Sequence, residues 1–150
     1  MAASSTTTIE FFTAEQSARL AGLSLDMVNY LCRHEIVVAR GNTVRGRGQA
    51  RRYLYADVLM LRVMAQLLKQ GVSVLGLRKS LAAYRKRKGS LDVDSCRYFV
   101  TDGYNVFLQD GGRFEDLASG QRVFAFVLDM EVVRNAVQKE IRRACLTANG

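Results

Sequence analysis

Four side chains near the front of the chain, Asp26, Asn29, Tyr30 and Arg33, are of the types that read the edges of bases. An amide such as Asn29 can pair with adenine through two hydrogen bonds, a guanidinium such as Arg33 can bond guanine or a phosphate, and a carboxylate such as Asp26 can accept from cytosine. Their spacing matters as much as their chemistry. On a helix that begins after Ser24 and turns about 100° per residue, all four fall on one side while Val28, Leu31 and Cys32 fall on the other. Seen alone, this could be an ordinary solvated helix face, so the neighbouring residues must decide.

The second set is cationic. Arg40 to Arg51 contains Gly41, Gly46 and Gly48 and no acidic residue, and it lies between the strand-like runs Ile36-Val37-Val38 and Arg52-Tyr53-Leu54-Tyr55. That pattern predicts a mobile hairpin tip, a wing, with Arg45, Arg47, Arg51 and Arg52 at phosphates. Arg45-Gly46-Arg47 also has the form of a minor-groove hook, in which glycine lets the backbone lie close while arginine enters the negative potential of a narrow A/T groove. A merely soluble loop is the plain alternative.

The elements that must position these residues are signalled locally. Thr13 and Gln16 form a capping box, and Phe12 stands where a hydrophobic staple would, so a first helix should run over Ala14–Ala21. Gly22 ends it, and Ser24 caps a second helix from Leu25 to about His34, with His34 as its boundary residue. Ala18 is small enough for the helices to cross closely, Gly22 permits a positive φ, and Leu23, Val28 and Leu31 supply apolar contacts. This is a helix-turn-helix pattern. A third helix, about Ala56–Gln70, is closed by Gly71 and carries Val58, Leu61, Met64 or Ala65, and Leu68. A fourth, about Val74–Lys88, is closed by Gly89 and carries Leu77, Leu81 and Tyr84. Arg85-Lys86-Arg87-Lys88 would complement that helix's C-terminal dipole, with phosphate steering as the alternative.

After Gly89 the character changes. Residues 90–96 suggest a linker, followed by strand-like runs at 97–101, 104–109, 113–118 and 121–128, separated by Asp-Gly, Asp-Gly-Gly and Ser-Gly turn signals. Asp129 would cap a last helix whose Val133, Val137, Ile141 and Ala144 form a stripe suited to covering the sheet or pairing with another copy. The expected class is α+β: an N-terminal winged helix-turn-helix of four helices and a β-hairpin wing, then a small antiparallel β-meander plus a C-terminal helix. The expected divisions are a disordered N-terminus (1–9), a DNA-binding domain (10–89), a linker (90–96) and a dimerisation or partner-binding domain (97–150).

Composition excludes several alternatives. With 150 residues, 49% hydrophobic and 24% charged, the chain can build a core without staples. No apolar run reaches the roughly 18 residues of a membrane span. Cys32, Cys96 and Cys145 are scattered and His34 is the single histidine, which gives neither a disulfide framework nor a metal knuckle; the cysteines are expected as buried apolar filler, and no cofactor is expected. Phosphate-binding loops, dinucleotide fingerprints and hydrolase motifs are absent, and Glu115 and Asp116 would point to opposite sides of a strand. An enzyme is not expected. The net charge of +8 is concentrated: residues 51–90 alone carry +9, residues 1–50 carry +1 and residues 91–150 carry −2. That is the footprint of a polyanion-binding module joined to a part with another task.

Three stretches, in order, carry a resemblance: Val28-Asn29-Tyr30-Leu31-Cys32-Arg33-His34-Glu35-Ile36, then Arg51-Arg52-Tyr53-Leu54-Tyr55-Ala56-Asp57-Val58, then Gly71-Val72-Ser73-Val74. Over residues 13–81 the chain resembles the DNA-binding domain of the MerR superfamily of bacterial transcription regulators. The resemblance implies that the second helix enters the major groove, that wing arginines and the nearby Tyr53 grip phosphates, and that the protein acts as a dimer on a two-fold-related site. Asn29 stands where the family pattern has Arg, Leu31 where it has Tyr, Cys32 where it has Glu, and Glu35 where it has Gly. The family's long dimerisation helix after the fourth helix has no counterpart here, because the chain breaks at Gly89, so effector sensing and promoter twisting are not carried over.

The expected DNA-binding residues are therefore Ser24, Asp26, Asn29, Tyr30, Arg33, Arg45, Arg47, Arg51, Arg52 and Tyr53. The expected role is a sequence-specific, homodimeric repressor or autoregulator on double-stranded DNA, cytoplasmic and associated with the bacterial nucleoid, with no membrane partner. A DNA-binding antitoxin whose C-terminal domain holds a protein toxin, or a recombination or phage architectural accessory protein, is the alternative.

Overall fold

Local capping chemistry sets the first two helices. In the computed structural model, which describes residues 11–41, 50–89, 93, 96–102, 106–109 and 126–149, helix α1 spans Ala14–Ala21. Thr13 Oγ1 accepts from Gln16 N at 3.1 Å and Gln16 Oε1 accepts from Thr13 N at 2.9 Å, so two amides at the helix start are satisfied reciprocally. Gly22 ends the helix at φ 78°, and a Cβ there would meet nothing, so the backbone conformation alone favours glycine. Ser24 Oγ then accepts from Met27 N at 3.1 Å and starts α2, Leu25–Arg33, with His34 as its C-cap. Both helices fall where the sequence places them.

The exit from α2 does not. Ile36-Val37-Val38 is expected as a strand, yet Ile36 N and Val37 N both donate to Leu31 O, at 2.9 and 3.2 Å. Those amides are used to close the helix, and the side chains of Ile36 and Val37 are buried in the core. The β-branched triplet signals burial, which the sequence pattern cannot distinguish from pairing. The returning segment finds a different partner: Tyr53 and Phe12 exchange two backbone bonds of 2.8 Å, which places residue 53 beside the segment leading into α1. Across the root of the wing Gly41 N donates to Arg52 O at 2.7 Å, and a Cβ on Gly41 would lie 2.5 Å from that oxygen, so only glycine allows the approach. The wing tip, including Arg45 and Arg47, lies outside the described residues, as does the run expected at 113–118.

Helix α3, Tyr55–Lys69, is the centre of the core: Val58, Leu59, Leu61, Val63, Met64 and Leu67 have no exposed surface. Helix α4, Val74–Lys88, starts with Ser73 Oγ accepting from Gly76 N at 2.9 Å and contributes Leu77 and Leu81 to the same core. Three short antiparallel strands follow, β1 (Tyr98–Thr101), β2 (Val106–Gln109) and β3 (Phe126–Asp129), in the order β2-β1-β3. Val100 pairs with Phe107 on one side and with Val127 on the other. An antiparallel sheet is present as expected, but this order corrects the simple meander, because β3 returns to the free side of β1. Phe99, Val100 and Thr101 of β1 are all buried, consistent with its central place, whereas Val127 of β3 is exposed.

Helix α5, Met130–Asn149, follows β3 directly, and Asp129 Oδ1 accepts from Glu131 N at 2.9 Å. Met130, Val133 and Val137 are buried and Ile141 packs against the core, while Ala144 is exposed. The helix lies against α3 and α1 as well as strand β3, with Gln138 Nε2 donating to the Tyr55 hydroxyl at 3.2 Å. It thereby covers apolar surface of α1 and α3. One buried cluster therefore runs from Ala18 to Val137.

Candidate nucleic-acid interface

Helix α2 divides as its sequence predicts. Val28, Leu31 and Cys32 are buried, Asp26, Tyr30 and Arg33 are exposed, and Asn29 is half-buried beside them. Ser24 is exposed, with its hydroxyl engaged at the helix start. The Tyr30 ring lies against His34, with centroids 4.3 Å apart and planes tilted by 45°, which restricts the tyrosine on that face. Arg51 reaches the same surface: its Nη1 donates to Asn29 Oδ1 at 3.5 Å, a long bond that brings a wing arginine onto the helix. Arg52 is exposed, with its guanidinium 5.7 Å from the centroid of the Phe11 ring. The structure thus brings Asp26, Asn29, Tyr30, Arg33 and Arg51 together and keeps Arg52 on the adjoining segment.

Tyr53 is a correction. It has 0% exposure, and its hydroxyl makes no hydrogen bond among the described residues. Burial first, and then the neighbouring Cys32 thiol, push its phenol pKa well above the usual value. A side chain with no surface cannot grip a phosphate. Tyr53 supports the wing root from inside, where its ring fills space between the α2 core and the Phe12 bridge.

Three residues that sequence reasoning missed as structural elements of the site hold it in shape. Asp57, in the first turn of α3, accepts from Leu54 N at 2.9 Å, from Arg40 N at 2.8 Å and from Arg40 Nε at 2.7 Å. Its side chain is 3% exposed and that of Arg40 44%, so the pair joins the buried start of α3 to the surface root of the wing. The available signal was that Asp57 is the lone acidic residue in the strongly basic stretch 51–90, three positions after the N-cap Leu54, the place of a capping carboxylate. Arg85 is the third. Expected to complement the dipole of its own helix, it instead crosses the fold and donates from Nη1 to Glu35 O and from Nη2 to Ile36 O, each at 3.0 Å. Burial, and next the like charge of Arg40, lower its pKa. Arg62 makes a similar tie, from Nη1 to Leu20 O at 2.9 Å, and fixes α3 to the end of α1.

Two capped helices, the second with a polar outward face, and an arginine-bearing segment clamped beside it define a helix-turn-helix nucleic-acid-binding domain. Residues 12–84, just under half of the chain, match the family described as MerR HTH family regulatory protein. An uncharacterized HTH-type transcriptional regulator of Mycobacterium bovis is 27% identical over 96 residues, which is 64% of this chain and 42% of that protein. Proteins of the same description from two strains of Mycobacterium tuberculosis match to the same extent. The chain thus spans less than half the length of these curated relatives.

Proposed function

We propose that the chain is a sequence-specific DNA-binding transcription regulator that acts as a homodimer on a two-fold-related operator and represses by occupying a promoter. The observation that carries this reading is the outward face of α2, where Asp26, Tyr30 and Arg33 are exposed and Asn29 is half-buried, with Arg51 drawn onto it through Asn29. The match to the MerR HTH family and the description of the mycobacterial relatives as HTH-type transcriptional regulators support it. In this mechanism α2 lies in the major groove and its four side chains discriminate bases, while Arg45, Arg47, Arg51 and Arg52 neutralise phosphates and Ser24 sits at the helix start against the backbone. Tyr53 contributes only by support. Residues 97–150 provide the dimer contact or hold a protein partner, and half-site spacing follows from the dimer. No helix among the described residues is long and apolar enough to cross a membrane, and the site of action is the bacterial cytoplasm, where the duplex is.

Selection of bound duplexes from random DNA, followed by a salt titration on the selected site, tests this. The expected outcome is an inverted repeat and a log-log slope of several units, since each neutralised phosphate contributes about −0.9. A set of bound duplexes with no common sequence, or a slope near zero, contradicts the reading.

A further inference from the structure

Residues 35–40 carry the chain from α2 to the wing, and both ends of this connection are fastened. At its far end Asp57 holds Arg40 by main chain and side chain. At its near end the single planar guanidinium of Arg85 spans two consecutive carbonyls, those of Glu35 and Ile36. Glu35 is the one non-glycine residue with positive φ among the described residues, at 56°, a conformation that L side chains resist. A turn with that local preference against it has to be held by its surroundings. Arg85 is well placed to do so: Leu77 and Leu81, on the same helix, are buried in the core and fix α4. The arginine occupies this half-buried place despite the nearby charge of Arg40, so its two carbonyl bonds must offset an unfavourable setting.

Resting on the reading of α2 as the element that discriminates bases, we propose that Arg85 is a positioning residue for DNA recognition: by holding the carbonyls of Glu35 and Ile36 it sets the direction in which the chain leaves α2, and so the placement of the wing root at Gly41 and Arg52 beside that helix. Arg85 touches no base and acts through the turn. Lysine cannot replace it, because a single ammonium lacks the fork that spans both carbonyls. Glycine at position 35 should lessen the need for it, because glycine adopts the positive φ unaided.

The test compares the full-length protein with Arg85→Ala, Arg85→Lys and the double variant Arg85→Ala/Glu35→Gly. Affinities are measured for a selected duplex and a scrambled one at fixed salt, and amide hydrogen exchange is followed in the free protein. Arg85→Ala should lower the ratio of the two affinities about tenfold, the effect of roughly one lost base-pair contact, while scrambled-duplex affinity changes by no more than about threefold. Exchange at the Ile36 and Val37 amides should accelerate about tenfold while the α1 amides are unaffected. Arg85→Lys should behave like the alanine variant, and Glu35→Gly should restore much of the ratio. Equal losses on both duplexes would make Arg85 a plain phosphate contact and overturn the proposal, as would unchanged exchange at residues 36 and 37. If the unaltered protein binds all duplexes alike, the reading of α2 falls and takes this proposal with it. Full discrimination retained by Arg85→Ala removes the role of Arg85 alone.

Discussion

Replacing Asp57 with alanine should cost far more stability than replacing its partner Arg40, although the two share one ion pair. Asp57 accepts three hydrogen bonds, two of them from the backbone amides of Leu54 and Arg40. Removing the carboxylate leaves both part-buried amides without that acceptor, at about 1 kcal/mol each, and strips a negative charge from the first turn of α3, worth about 0.5 kcal/mol. The side-chain bond to Arg40 adds little, because the Arg40 side chain is 44% exposed and solvent screens the pair. The expected total for Asp57→Ala is about 2–3 kcal/mol, or a fall in Tm of about 5–10 °C for a chain of this size. Arg40→Ala leaves both backbone bonds in place and should cost about 1 kcal/mol or less. Urea unfolding at constant m measures both. Equal costs, or a cost for Asp57→Ala below about 0.5 kcal/mol, would refute the view that this carboxylate fastens the wing root.

Tyr53→Phe should be neutral or stabilising by up to about 1 kcal/mol, since it removes a buried hydroxyl with no partner among the described residues, and duplex affinity should not change; weaker binding by a folded variant would return Tyr53 to the interface. The raised phenol pKa gives a pH signature: the neutral form is favoured in the fold, so its stability contribution is complete below the unfolded value of 10.0 and is lost as pH climbs beyond it. Tyr53→Phe should flatten that alkaline decline, measured as urea midpoints between pH 9 and 11, and an unchanged slope would assign it to other groups. Glu35→Gly, which removes the strain at φ 56° but loosens the unfolded chain, should stabilise by up to about 1 kcal/mol, whereas a clear loss in thermal unfolding would show that Glu35 is not strained. Ser24→Ala should cost about 1 kcal/mol through the lost cap, and no loss would mean that the bond to Met27 N contributes nothing.

The parts of the molecule legible in the sequence are those governed by local chemistry. Thr13, Ser24 and Ser73 start helices by bonds to amides three residues on, and Gly22 and Gly89 stop them, so α1 and α4 have the expected bounds and α2 differs by one residue at its end. The outward face of α2 was legible because helical periodicity alone sorts Asp26 from Val28. What escaped depends on distant partners. Ile36-Val37-Val38 has the composition of a strand, but Leu31 O takes the amides of Ile36 and Val37; Tyr53 looks like an amphipathic surface residue, but it is bridged to Phe12 and fully buried. Arg85 looks like one more cation at a helix end, and only the folding back of α4 brings it to carbonyls some fifty positions away. The strand order escaped for the same reason, since turn signals report which strands are joined and not which side of β1 is left for β3.

In the proposed mechanism the outward face of α2 discriminates among duplexes. The most direct test replaces Asp26, Asn29, Tyr30 and Arg33 together by alanine and measures the ratio of affinities for the selected and scrambled duplexes, with circular dichroism confirming the fold. Because each good side-chain-to-base pairing is worth about 1–3 kcal/mol, the ratio should fall at least about a hundredfold, toward the salt-dependent binding that the wing arginines give to any sequence. A folded quadruple variant that still prefers the selected duplex as strongly as the unaltered protein would contradict the account.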